Sequence, residues 1–359
     1  MTTIADYDAP GTGSPAPPRL AMARATWRQH RAAITGFAIL YGVLAVVMVW
    51  AAVQGHANYA AEIRDRCVGS TQLAKCGPLL GDFPWLTSTN YPNAVGLALR
   101  IAALLAGMFL GAPLLAREFE QGTVRFAWTQ GTSRTRWVIV KLTLLAVIVT
   151  AAASVLGVLA AWSVQPFAPL WGVSRWQSGQ FDTTAVTLAG WTLFAFSLGT
   201  AAGAVLRRTV PAMAATGASA VALMALTSSK LDGWLLNTGP VITRDSLQQW
   251  QPFSFNTSSP ADYLPGGGVA PSPAGSWTLT TWFTDRTGHR LGSGALNALD
   301  SLKAPDQQAW LAAHHDALWI AYQPGSRFWI FQFIEGGTLL VLALLLGAAT
   351  IWLVRRRRA

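Results

Sequence analysis

Residues 138–161 read VIVKLTLLAVIVTAAASVLGVLAA, a run of 24 residues whose single charge is Lys141. A helix that crosses hydrocarbon needs about 20 apolar residues at about 1.5 Å each, so this run is long enough. Five others match it: 32–53, 94–116, 185–206, 210–228 and 328–354. Within all six spans the charged residues are Arg100, Lys141 and Glu335. Over the whole 359-residue chain 52% of residues are hydrophobic and 12% charged, about half the roughly 25% usual in soluble globular domains. A soluble enzyme is excluded. The fold class is an all-α polytopic membrane protein with six transmembrane helices.

The net charge of +10 would suggest nucleic acid in a soluble protein, but its placement argues otherwise. With the N-terminus in the cytoplasm, the short cytoplasmic pieces carry Arg19, Arg24, Arg28, Arg31, Arg117, Arg125, Arg134, Arg136, Arg207, Arg208 and Arg355 to Arg358. The longer opposite side carries only ten basic groups, and the density differs nearly fourfold. Positive charge on short loops sets orientation, so both termini are expected in the cytoplasm of a plasma-membrane protein. Trp27, Trp50, Trp137, Trp162, Trp329 and Trp352 stand near span ends, where interfacial anchors belong. The first span is too long for a secretory h-region and is retained as a membrane helix.

The chain then divides into a disordered and basic N-terminal arm, 1–31, and helices one to five within 32–228. An extracellular segment, 229–327, and a sixth helix with a basic tail, 328–359, complete it. Ninety-nine residues are too many for a plain connection. Trp277 to Thr284 alternates like a strand, the turn residues Asp285 to Gly288 lead to a return strand, and Pro305 to Tyr322 has helical spacing. A small mixed cap is expected. Cys67 and Cys76, nine positions apart on the oxidising side, are either a loop-closing disulfide or two free thiols. His314, His315 and Asp316 are poorly placed for chelation, and no metal site is expected.

Inside the membrane, Gly107 and Gly111 form one G-x-x-x-G and Gly199 and Gly203 another, suited to close helix contact within the chain or between copies. Arg100 and Glu335 lie at similar depth. They are either a mutual ion pair or an arginine that snorkels and a glutamate at the interface. No phosphate loop G-x-x-x-x-G-K-[ST] and no H-E-x-x-H occurs, and no span contains His or Asp. No catalytic residue and no cofactor of the chain's own is expected.

After the second span the sequence reads Arg117-Glu118-Phe119-Glu120-Gln121-Gly122-Thr123, then Trp128-Thr129-Gln130, Ser133-Arg134 and Lys141. This is a short polar helix continuing the span, stopped by Gly122, with Thr132 or Ser133 restarting the third span. Two acids stand there on an arginine-rich face. The stretch resembles the signature of ABC-2 type transporter permeases, and more closely that of an actinobacterial branch of exporter membrane subunits. Arg207 to Ala212 (RRTVPA) and Tyr322 to Glu335 (YQPGSRFWIFQFIE) carry the same resemblance. It implies a translocation pathway built from two permease subunits, identical or different, among membrane lipids and without nucleic acid. It also implies a separately encoded ABC ATPase that holds ATP and Mg. The loop 117–137 would be the coupling element, with Arg117, Glu118, Glu120, Gly122, Thr123, Ser133, Arg134 and Lys141 as its residues. The alternative is a non-transporting membrane scaffold or sensor whose extracellular segment binds a ligand.

Overall fold

The computed structural model describes residues 19–59, 90–122, 134–166, 175–226 except 177, 239, 241–245, 276–302 except 286, 306, 309–311, 313 and 317–356. Cys67, Cys76, Thr123, Ser133 and the His314–Asp316 cluster lie outside the described residues.

Six helices are long and apolar enough to cross a membrane. Helix α1 is Arg19–Gln54. Helix α2 has three consecutive pieces: α-helical Asn90–Leu105, π-helical Ala106–Gly111 and α-helical Ala112–Glu120. Next come α3 (Arg134–Val164), α4 (Ala185–Leu206), α5 (Thr209–Leu226) and α6 (Phe328–Arg356). Stretch 19–31, grouped by sequence with the arm, is the beginning of α1. Arginine and alanine are good helix formers, and nothing in that stretch breaks the turn.

Helix α4 is the axle, with 72% of its apolar window buried against 17–50% for the other five. Its side chains enter three separate apolar clusters: Leu188 with Met48, Leu99 and Leu156; Phe196 with Ile34, Leu114 and Trp137; Trp191 with Leu339. Several hydroxyls on the spanning helices bond a carbonyl of the preceding turn. Thr192 donates to Leu188 O at 2.8 Å and Thr216 to Ala212 O at 2.7 Å, as hydrocarbon requires of a polar group.

The two G-x-x-x-G motifs meet each other. A methyl group built on Gly199 would fall 2.2 Å from Gly107 O, and one on Gly203 would fall 2.5 Å from Ala112 O. One on Gly111 would fall 2.5 Å from Phe196 O. Of the two readings of these motifs, contact within the chain is the one this packing adopts. The crossing coincides with the π-helical piece of α2, where Ala112 N–H donates to Gly107 O, five residues back. Pro113 explains the widening. Its ring would strike the carbonyl four residues earlier in a regular α-helix, and the extra residue per turn relieves that clash.

The cap contains a three-stranded antiparallel sheet in the order β1-β3-β2, with β1 Val241–Asp245, β2 Trp277–Thr284 and β3 Ala317–Gln323. Strand β2 is where the period-two pattern put it. The return strand is not formed: a single bridge, Thr284 to Arg290, is followed by an eight-residue helix, Ser293–Asp300. The helical reading of 305–322 is corrected over its last third, which is the central strand. Trp319, Ile320 and Tyr322 favour a pleated surface, and pairing on both edges outweighs helical spacing. Ile320 is buried with Phe283, Leu299 and Leu311 in the cap's own core.

The same Gly→Ala change should therefore have opposite effects at two sites. Gly199→Ala should cost about 1–3 kcal/mol through overpacking against α2. Gly36→Ala, which meets nothing within 4 Å, should be neutral or stabilising by up to about 1 kcal/mol. Unfolding midpoints of the two variants in detergent check this.

Candidate functional site

The helix ends that carry the arginines form one polar assembly, here called the basic end. Helix α2 stops at Gly122, whose φ of +69° is left-handed, as a glycine stop requires. On its last turn Glu118 faces inward. Its Oε1 accepts from Lys141 Nζ of α3, and both side chains are almost fully buried. Lys141 also lies 4.4 Å from the centroid of the Trp137 ring. Trp137 is thus part of the core, whereas Trp27, Trp50, Trp162, Trp329 and Trp352 are exposed, as anchors would be. A buried ion pair is costly to desolvate and costlier to break, so it fixes one arrangement of α2 against α3.

Glu120 does the same toward α5. Its Oε2 accepts from the backbone N–H of Thr209 at 3.1 Å and from Thr209 Oγ1 at 2.7 Å. Thr209 opens α5, so the carboxylate satisfies one orphan donor and lies against the positive end of the helix dipole. The connection from α4 to α5 is only Arg207 and Arg208. Arg207 adopts φ 56°, donates its N–H to Gly203 O at 3.1 Å, and lies 5.9 Å from the Phe119 ring centroid. Arg117, Gln121 and Gly122 are exposed. Arg134 opens α3. Of the residues singled out in this loop, Glu118, Glu120 and Lys141 are drawn together with α3 and α5, and Arg117 and Gly122 face outward.

The stretch Tyr322–Glu335 fastens the other end. Gln323 is fully buried, and its Oε1 accepts from Arg327, which also donates to Gly239 O. Trp176 stacks on Trp277 of β2 at 6.2 Å and meets Phe328 and Phe331 edge-on. Arg175 covers Phe328 and donates to Gly325 O at 2.8 Å. One turn deeper, Gln332 accepts from the hydroxyls of Thr184 and Thr187 and donates to Phe181 O at 2.9 Å. Cap, α4 and α6 are joined there through amides and aromatic edges.

Arg100 and Glu335 do not form the mutual pair that their depth suggested. Arg100 Nη2 donates to Asp182 Oδ2 at 2.7 Å, a carboxylate just before α4. Glu335 Oε1 accepts from Trp191 Nε1 at 3.1 Å. Arg100 thus reaches toward the helix end, the snorkelling alternative, and finds a partner there. Asp182 and Trp191 were not singled out by sequence. Their signal was an acid three residues ahead of a span and an indole at a depth close to that of Glu335. Arg100, Asp182 and Trp191 line a cavity of about 260 Å³ between α2, α4 and α5, closed by Leu188, Val221 and Met224. Among the described residues no group of three or more His, Cys, Asp or Glu could hold a metal ion.

A family model described as "ABC-2 membrane transporter related" matches residues 38–231, more than half of the chain, from the middle of α1 through the end of α5. No curated protein and no solved structure matches the chain.

The buried pair gives a direct test. Glu118→Ala leaves Lys141 in the core without that carboxylate and should cost about 3–5 kcal/mol, whereas Glu118→Gln combined with Lys141→Met should cost far less. Thermal unfolding of the single and double variants in detergent measures the difference.

Proposed function

The chain belongs to the ABC-2 membrane transporter related family, and we propose on that ground that it is the membrane-spanning permease subunit of an ABC exporter. It forms the translocation pathway with a second permease subunit and draws its energy from a separately encoded ATPase. ATP and Mg are held in that partner, because this sequence carries no phosphate loop. The arginine-rich end faces the cytoplasm by the positive-inside bias, and the sheet-bearing cap lies outside.

The observation that carries the reading is the double attachment at the end of α2. Glu118 ties it to Lys141 of α3, and Glu120 ties it to Thr209 of α5. A push on the loop that follows Gly122 is therefore delivered to three membrane helices at once. Packed interfaces switch between discrete arrangements instead of deforming gradually, so a small displacement there is enough to favour another state of the pathway. In this reading Glu118 and Lys141 are positioning residues, since both are buried inside the chain. Arg117, Gln121 and Gly122, exposed at the end of α2, present the surface on which the ATPase rests.

Glu120→Arg places a positive charge against the positive start of α5 and two arginines. It should lower the ATPase recovered with the tagged chain from host membranes several-fold, with membrane insertion and helical content unchanged. Undiminished recovery together with undiminished transport would remove Glu120 from the coupling role.

A further inference from the structure

We propose that a second cavity, where α3 ends and α4 begins, binds the head of an anionic phospholipid from the leaflet on the cap side. This needs only a membrane around the chain, so it stands or falls apart from the permease reading above. The cavity, of about 230 Å³, straddles the ends of two spans. Ala161 and Val164 belong to the last turn of the α3 span, whereas Gln165, Arg175 and Gln180 lie outside both spans. Apolar walls at membrane depth with polar walls beyond them match a lipid where its head meets its chains. The volume is below the usual range for enclosing a small molecule, so it admits a head and leaves the chains outside. Their path is on the page as well. Ala161 and Val158, one and two turns below Gln165 on the same side of α3, are exposed, Val158 to 59%.

Charge selects the head. Among the described residues of the lining Arg175 is the charged one, and none is Asp or Glu. Arg175 is held in place by Gly325 O, to which it donates at 2.8 Å, and by the Phe328 ring, 4.6 Å from the guanidinium carbon. Neither partner carries a formal charge, and a guanidinium has five N–H groups to give. Asp182, the neighbour of Thr183 in sequence, is engaged at 2.7 Å by Arg100. A guanidinium fork suits the oxygens of a phosphate, and the Gln165 and Gln180 amides add N–H donors beside it. A choline head would bring a second cation against Arg175. The hydroxyl protons of Thr183 and Thr184 already go to neighbouring carbonyls or to Gln332, so in the cavity these oxygens accept. Acceptors next to a phosphate site suit a head with hydroxyls of its own, and phosphatidylglycerol is therefore the probe.

Phosphatidylglycerol and phosphatidylcholine with the same photoreactive acyl chain are each placed in nanodiscs holding the purified full chain. After illumination, labelling of residues 154–165 is measured by peptide mass spectrometry. Phosphatidylglycerol is expected to label this stretch at least about fivefold more, the discrimination that one arginine gives at a membrane surface. Arg175→Gln should remove the preference. Gln165→Glu, at an exposed position, should do so too by putting a carboxylate in the cavity, at a nearly unchanged unfolding temperature. Equal labelling by the two lipids, or a preference that survives either variant, overturns the proposal. Loss of the labelling in excess glycerol phosphate assigns the cavity to a free phosphate ester and overturns it equally.

Discussion

Everything else in this fold leans on the crossing of α2 and α4. Lipid tails are as apolar as leucine, so spanning helices gain little from hydrophobic burial and must associate by close packing. Here the contact is backbone against backbone: Gly199 seats on the carbonyl of Gly107, and Gly203 on that of Ala112. The π-helical turn at Ala106–Gly111, just ahead of Pro113, lies at that crossing. With α4 locked to α2 at its centre, α4 is left to gather α1, α3, α5 and α6 around it.

The few polar groups placed within or beside the membrane helices are spent on fixing geometry at the two ends of that crossing. At the basic end, two acids on one turn bind two different helices, and the chain reverses in two residues between α4 and α5. At the opposite end, Gln332, Thr184 and Thr187 join α6 to α4, and Arg100 meets Asp182. In the permease proposed above, this axle with polar clamps at both ends is what would carry a displacement from one face to the other. The aromatic group around Trp176 then carries the connection into the cap through Trp277.

Much of this was legible in the sequence because the bilayer is a strict reader. Span lengths, the scarcity of charge, the glycine spacing and the Gly122 stop each follow from one local rule, and each is found where that rule puts it. The alternation of β2 is equally local. What escaped depends on contacts between distant residues. Strand β3 contains residues that also fit a helical stripe, and only its two neighbouring strands decide between them. Asp182 was overlooked because a carboxylate just outside a span looks solvated until an arginine from another helix reaches it. Glu118 and Glu120 are two residues apart on a helix and so point to different sides, but nothing in the spelling tells which side faces the core. The pairing of Glu118 with Lys141 twenty-three residues on had no local sign.

The central claim is that the exposed end of α2 rests on an ATP-hydrolysing partner. The most direct measurement puts a photo-crosslinking residue at Gln121, which is exposed at that end, and a control at Ser293 in the cap. The labelled chain is illuminated in membranes of its own host, and the captured proteins are identified by mass spectrometry. The account predicts capture of a nucleotide-binding subunit from position 121 and not from 293, with a yield that changes when ATP is added. Efficient labelling that recovers lipid, or a partner without ATPase activity, at position 121 would contradict it.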